Sequence, residues 1–209
     1  MAGGGTVVIV AIIPAAGKSQ RFGQNKLACP IGERTVLEHV IGSLRMGGAD
    51  LVLAVLSPEN APLANLIART EAVPLVLDQP SLDMRATIEA GLAWVATQLR
   101  TPPQAWLVCP ADHPAIAPTV VEKLIAAFDV GPTNAIFVPT YNGQRGHPVL
   151  LDWQHAERFR QFSRSAGLNQ YIREQIVVEV PVDCPGILWD LDTADDLARI
   201  QALLSSQIR

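Results

Sequence analysis

Thr6-Val7-Val8-Ile9-Val10-Ala11-Ile12-Ile13, running into Pro14-Ala15-Ala16-Gly17-Lys18-Ser19-Gln20-Arg21-Phe22-Gly23-Gln24-Asn25-Lys26, decides the fold. The first part is almost entirely apolar and β-branched, with no polar alternation. That is the pattern of a strand covered on both faces, and so of the interior of a parallel sheet. The loop that follows holds two glycines and three cations, Lys18, Arg21 and Lys26. In an open α/β sheet ligands sit beyond the carboxyl ends of the strands, where this loop falls. Small residues let backbone N–H groups approach phosphate oxygens, and the cations can neutralise them. The competing reading is a solvated loop whose charges bind nothing. Gly17-Lys18-Ser19 is not a P-loop, because G-x-x-x-x-G-K-[ST] needs glycine where Ile12 stands.

Outward from this unit, residues 33–45 predict a helix with Val36, Leu37, Val40, Ile41 and Leu44 on one stripe. Strands at 51–56, 73–77, 105–109 and 135–138 alternate with helical stretches. One helix covers 63–68, one aligns Ile88, Leu92, Val95 and Leu99, and one carries Val120, Val121, Leu124, Ile125 and Phe128. Such alternation predicts a mostly parallel sheet with helices on both faces, a three-layer α/β/α architecture. The pattern changes at Pro139. Tyr141-Asn142-Gly143 is a turn centre and 149–151 the return strand of a hairpin. A helical region at 152–174, a strand at 176–180 and a last helix opened by Thr193, with Asp196 as capping partner, complete the chain. With no linker, repeat or low-complexity tract, residues 1–209 read as one domain with a hairpin and helical subregion at about 139–180.

The 209 residues are 49% hydrophobic and 17% charged, a globular rather than a disordered composition. A net charge of -4 offers no broad basic surface for nucleic acid, so any phosphate binding must be local. Cys29, Cys109 and Cys184 are widely separated and form no CxxC pair, which argues against a disulfide framework or zinc knuckle and for a reduced, cytoplasmic setting. The apolar stretch 7–16 lacks a basic leader and is too short to span a bilayer, so no membrane association is expected.

Three further segments carry chemistry. In Cys109-Pro110-Ala111-Asp112-His113-Pro114, Asp112 follows a buried strand, where a carboxylate either holds a magnesium ion shared with substrate phosphates or caps the next turn. In Leu188-Trp189-Asp190-Leu191-Asp192-Thr193-Ala194-Asp195-Asp196-Leu197, the alternating Asp190 and Asp192 share one face if the segment is extended, and one could complete a metal site. Asp195 and Asp196 suit the first turn of a helix. In Asn142-Gly143-Gln144-Arg145-Gly146-His147-Pro148, His147 is expected to be exposed and, with Arg145, to bind an anionic acceptor. His39, His113 and His155 have less context.

Together these segments resemble the MobA-like nucleotidyltransferase family, and within it the branch of molybdenum-cofactor cytidylyltransferases. The signature L-A-A-G-x-S-x-R-[MF]-G-x-x-K is met from Ala15 to Lys26, with Pro14 replacing the leading Leu. [GD]-[DH]-x-P has its counterpart around Asp112 and Pro114, P-x-x-x-G-x-x-G-H-P matches Pro139 to Pro148, and D-[IL]-D-T-x-[DE]-D matches Asp190 to Asp196. The family's Gly-[ML]-x-x-Ser-[ILV] appears as Asp83-Met84-Arg85-Ala86-Thr87-Ile88, so Asp83 and Arg85 are departures.

The resemblance implies a Rossmann-like nucleotidyltransferase fold that moves CMP from CTP to a phosphate-bearing acceptor, molybdopterin or the molybdenum cofactor, and releases pyrophosphate. It assigns nucleotide binding to Ala15, Ala16, Gly17, Lys18, Arg21, Lys26, Asp78 and Thr87, and catalysis to Lys26, Arg21 and Asp112. Magnesium, or manganese in its place, would sit on Asp112 and Asp190. An apo-molybdoenzyme could receive the product. The alternatives are transfer to a sugar or alcohol phosphate, a glycosyltransferase using the Asp190 and Asp192 pair, and a catalytically silent nucleotide-binding regulator.

Overall fold

The computed structural model describes residues 9–17 and 25–207. Its elements run β1 (Ile9–Ala15), β2 (Pro30–Ile31), β3 (Arg34–Thr35), α1 (Val36–Met46), β4 (Leu51–Leu56), α2 (Ala64–Ile67), β5 (Val73–Val76), α3 (Met84–Gln98) and β6 (Ala105–Val108). They continue with α4 (Pro118–Val130), β7 (Ile136–Tyr141), β8 (Gln144–Arg145), β9 (Val149–Asp152), α5 (Gln154–Gln161), α6 (Leu168–Arg173), β10 (Val177–Pro181) and α7 (Ala194–Gln207).

Every residue of β1 is buried, as an all-apolar strand requires. Its side chains alternate between two cores. Ile9, Ala11 and Ile13 pack with α1, α2, α4 and α7, through Leu37, Ile67, Leu124 and Ile200 among others. Val10 and Ile12 pack with α3, α5 and α6, through Ile88, Val95, Phe159 and Tyr171. The sheet is therefore the middle of three layers, as expected.

Among the described residues the main sheet has the order β10-β7-β9-β6-β1-β4-β5, with β8 paired to β7. The pairs β1–β4, β4–β5, β1–β6 and β7–β10 are parallel, and β9 is antiparallel to both β6 and β7. From β1 the chain winds outward to β4 and β5, then returns to place β6 on the other flank of β1. This reversal opens a crevice beyond the carboxyl ends of β1 and β6, the usual ligand position in such sheets. Pro14 marks where it begins. The last β1–β6 rung runs from the Cys109 N–H to the Ile12 carbonyl, 3.1 Å. Two residues further on the same edge, Pro14 has no N–H to give, and no rung is lost.

Several expectations are revised. The first helix begins at Val36 rather than residue 33, because β2 and β3 form a small hairpin around Gly32, at φ +61. Thr35 then caps α1 reciprocally: Glu38 N–H donates to its Oγ1 at 3.3 Å, and Thr35 N–H donates to Glu38 Oε2 at 2.7 Å. The helix expected at 63–68 is a 3-10 turn, Pro58–Leu63, followed by the single turn of α2. The region 152–174 splits into α5 and α6. Pro139 lies inside β7, so the subregion that begins there is woven into the sheet. Asn142 and Gly143, at φ 49 and 76, form the expected turn into β8. The return strand β9 lies between β7 and β6, with Leu150 facing one core and Val149 and Leu151 the other. Thr193 and Asp196 cap α7 mutually, Asp196 N–H donating to Thr193 Oγ1 at 3.2 Å and Thr193 N–H to Asp196 Oδ2 at 2.9 Å.

Candidate active site

Lys26 opens the 3-10 turn Lys26–Ala28, which Asn25 caps by accepting from the Leu27 N–H at 3.2 Å. Its ammonium donates to Asp112 Oδ2 at 2.7 Å, to the Leu191 carbonyl at 2.8 Å and to Asp192 Oδ1 at 3.0 Å. The Leu191 peptide is itself held, its N–H donating to the Asp112 carbonyl at 2.9 Å. On the far side, Asp112 Oδ1 lies 3.0 Å from His113 Nδ1, and the His113 ring meets His147 edge-on with centroids 5.0 Å apart. Glycines permit this closeness. A Cβ on Gly186 would stand 1.9 Å from the Ala115 carbonyl oxygen, and one on Gly146 would stand 2.4 Å from that of Ile187. All four segments singled out in the sequence therefore meet at the sheet crest.

Burial alone would raise the Asp112 pKa, but hydrogen bonds from His113 and Lys26, together with their charges, hold it well below the usual carboxylate range. Burial would likewise lower that of Lys26, but the bonds and charges of Asp112 and Asp192 raise it. The pair is ionised at neutral pH. Beside it opens a cavity of about 390 Å³ lined by residues 14–17, Lys26, residues 80–84, Thr87 and residues 110–112.

The sequence-assigned residues divide as follows. Ala15, Ala16, Gly17, Lys26, Thr87 and Asp112 line the cavity. The Thr87 hydroxyl donates to the Asp83 carbonyl at 3.0 Å and lies 2.8 Å from Ser81 Oγ. Lys18 and Arg21 lie outside the described residues. Asp78 is exposed in the turn after β5 and is not among the lining residues. The carboxylate that joins Lys26 and Asp112 is that of Asp192, not Asp190. The Leu191 N–H and carbonyl hold this stretch against Asp112 and Lys26, and Asp192, itself half exposed, is the carboxylate that reaches the ammonium. Arg145 pairs with Glu179 at 2.8 Å, both side chains about half exposed.

His147, expected to be exposed, is only partly so. Its Nδ1 is buried without a hydrogen-bond partner among the described residues. Burial, then the charge of His113, lowers its pKa from 6.5 to about 4, only partly offset by Asp112. The folded protein thus keeps this ring neutral where the unfolded chain takes up a proton. The stability this contributes is complete above the ordinary value of 6.5 and is lost as pH falls toward about 4. His147→Gln should flatten the decline of the urea midpoint between pH 7 and pH 5; equal slopes in variant and parent would refute this.

The departures from the family pattern have structural roles. Asp83 caps α3, accepting from the Ala86 N–H at 2.8 Å. Arg85 is 6% exposed and bonds to the end of α5. Sequence reading missed three contributors. The Leu191 peptide acts through its backbone and leaves no side-chain signal. His113 adjoins Asp112, which was a usable hint. Asn60 is a polar residue just past the carboxyl end of β4, and its amide donates to the carbonyls of Ala15, 2.8 Å, and Gly17, 3.2 Å, and accepts from Asn25 Nδ2, 2.9 Å.

Fold and site define a three-layer α/β protein that presents a carboxylate-held lysine and a small-residue loop to a cavity at the switch point of its sheet. The chain belongs to the MobA-like NTP transferase domain family, which it matches over residues 11–182. It is 28% identical over 137 residues, 65% of each chain, to a probable molybdenum cofactor guanylyltransferase of Halalkalibacterium halodurans. It is 48% identical over 54 residues, 24% of each chain, to 2-C-methyl-D-erythritol 4-phosphate cytidylyltransferase of Neisseria meningitidis. The chain thus spans about a quarter of the length of the second relative and 65% of the first. The fold is similar to that of Rv0371c from Mycobacterium tuberculosis, with a TM-score of 0.78 at 23% identity over 93% of this chain and 98% of that one. Rv0371c has also been solved with manganese, a structure at 21% identity and a TM-score of 0.72 over 93% of this chain and 98% of that one. Among the described residues, no helix is long and apolar enough to cross a membrane.

Proposed function

We propose that the protein transfers CMP from CTP to a phosphate-bearing acceptor of the molybdopterin type and releases pyrophosphate. The observation that carries this reading is the Lys26 ammonium held by Asp112 and Asp192 at the edge of a 390 Å³ cavity at the switch point. The choice of CTP rests on the G-H-P and D-x-D-T elements and on the local likeness to a cytidylyltransferase.

The donor set fits a magnesium or manganese ion. Asp112 and Asp192 are hard oxygen donors that face one cation, and magnesium typically takes one or two carboxylates, filling its other positions with water and phosphate. The charge balance points the same way. Among the described lining residues, Lys26 is the single cation against Glu59, Asp83 and Asp112, so a bound triphosphate would call on further positive charge, from a divalent ion or from Lys18 and Arg21. Asp112 with Asp192 would hold the ion, which when bound would supply charge neutralisation at the phosphates.

The chain's own part is alignment. Lys26, its three N–H groups engaged by Asp112, Asp192 and the Leu191 carbonyl, would act on the triphosphate as a fixed charge rather than as a hydrogen-bond donor. The backbone of residues 15–17 walls the same cavity, and Lys18 and Arg21 would add to the phosphate contacts. An acceptor phosphate oxygen then attacks the α-phosphorus, a bond to the acceptor forms, and the bond to the departing pyrophosphate breaks. A phosphate monoester is already nucleophilic, so the step asks for positioning and electrostatics rather than a protein base.

The test is a thermal-shift comparison of CTP, GTP, ATP and UTP with magnesium, followed by pyrophosphate release with molybdopterin. A ligand that binds only the native state at a hundred times its Kd stabilises it by about 2.7 kcal/mol. CTP should shift the transition most, and pyrophosphate should appear only with acceptor. A shift with GTP and none with CTP overturns the base assignment. Nucleoside diphosphate as product indicates a glycosyltransferase, and no product with any pair defeats the enzyme reading.

A further inference from the structure

Ala15, Ala16 and Gly17 form one wall of the cavity and Lys26 another, and residues 18–24 separate them in the chain. One buried side chain joins the two. Asn60, 8% exposed in the 3-10 turn after β4, donates both amide hydrogens, to the carbonyls of Ala15 and Gly17, and its own carbonyl accepts from Asn25. Asn25 in turn caps the turn that carries Lys26.

The geometry fixes which end of the amide is which, since two carbonyl acceptors demand the NH2 group. It also explains why the residue is asparagine. Serine or threonine has one hydrogen to donate, and aspartate would set an anion against two carbonyl oxygens. Leucine, isosteric with asparagine, would leave the buried Ala15 carbonyl, the Gly17 carbonyl and the Asn25 amide without this partner.

The peptide plane gives the consequence. In a trans peptide the C=O and the following N–H point in opposite directions. With the Ala15 carbonyl turned onto Asn60, the Ala16 N–H is turned away from it. Asn60 is not among the residues lining the cavity, whereas Ala15, Ala16 and Gly17 are. A carbonyl left facing the cavity would repel a phosphate, and an N–H attracts it.

We propose that Asn60 is a positioning residue for nucleotide binding, which holds the Ala15 and Gly17 carbonyls on its own amide, turned away from the phosphates, and ties this backbone, through Asn25, to the Lys26 turn. The inference rests on the nucleotidyltransferase reading and adds to it a residue outside the cavity that sets nucleotide affinity. Its own bonds reach the Ala15–Gly17 backbone and, through Asn25, the Lys26 turn; none reaches His113 or the His147 side of the site, where the acceptor residues were expected.

The test measures dissociation constants for CTP and GTP with magnesium by calorimetry on the wild-type protein, Asn60→Ala and Asn25→Ala. It also measures KM for the acceptor, and circular dichroism reports folding. Loss of two to three hydrogen bonds predicts binding of the preferred triphosphate weaker by about tenfold or more in Asn60→Ala. A smaller loss in the same direction is expected in Asn25→Ala, with acceptor KM changed by less than about twofold in both. A general loosening of the fold would weaken triphosphate binding and raise the acceptor KM together, and that outcome overturns the proposal. So does nucleotide binding within about twofold of wild type in folded variants. If Asn60→Ala does not fold, the half-buried Asn25→Ala decides by the same criteria. Wild-type protein that binds neither triphosphate defeats the nucleotidyltransferase reading itself. Wild-type binding with unaffected variants defeats only the role of Asn60.

Discussion

Asp112→Ala should lower the rate of nucleotidyl transfer by at least about a hundredfold, on the scale of losing one preorganised charge-stabilising group. The carboxylate anchors Lys26 at 2.7 Å and accepts from His113 at 3.0 Å, and it is the more buried of the two carboxylates on Lys26, at 24% side-chain exposure against 50% for Asp192. Removing it frees the ammonium on one side and would take away the better-fixed of the two carboxylates proposed to hold a divalent ion. Asp112→Asn separates shape from charge. It keeps one acceptor for Lys26 but neither the negative charge nor a strong metal ligand, so it should fall nearly as far as the alanine variant. Single-turnover rates at saturating CTP and magnesium are the measurement. An asparagine variant within about twofold of the parent would show that the carboxylate only positions Lys26.

Arg85→Leu should cost about 3–5 kcal/mol of unfolding free energy, the range seen when one partner of a buried charged network is removed. Its Nε donates to Glu89 at 2.7 Å, one terminal nitrogen to the carbonyls of Phe159 and Phe162 at 2.7 and 3.0 Å, and the other to those of Ser163 and Ala166. The guanidinium also lies 4.7 Å over the Phe159 ring. These carbonyls belong to the end of α5 and the loop beyond it, where helix carbonyls lack intrahelical partners and the dipole favours a cation. Leucine fills the volume and satisfies none of them. Arg85→Lys should be nearly as damaging, because an ammonium cannot reproduce a planar fork that reaches carbonyls on two sides. Urea denaturation reads the result, and a loss below about 1 kcal/mol would contradict it. The first turn of α3 lines the cavity beside Lys26, so this tie also links α5 to the candidate site.

The legible part of the molecule was the part governed by local pattern. β1 was readable because burial on both faces excludes polar residues from the strand itself. The stripes of α1, α3 and α4 were readable because one helix face meets the sheet. Lys26 and Asp112 stood out because each follows a buried strand in a loop at its carboxyl end. The capping of α7 by Thr193 and Asp196 spans three residues and needed no tertiary information.

What only the tertiary structure decided were pairings across long stretches of chain. Asp192 meets Lys26 from 166 residues away, and nothing in the local spacing favours it over Asp190. Asn60 reaches Gly17 across 43 residues, and Arg85 reaches Ala166 across 81. The place of β9 between β6 and β7 and the burial of the His147 Nδ1 are of the same kind. Periodicity reports which face of an element is dry, a property each residue carries with its neighbours. Which distant group fills a hydrogen bond or neutralises a charge depends on how the layers dock, and that is settled only when the whole sheet closes.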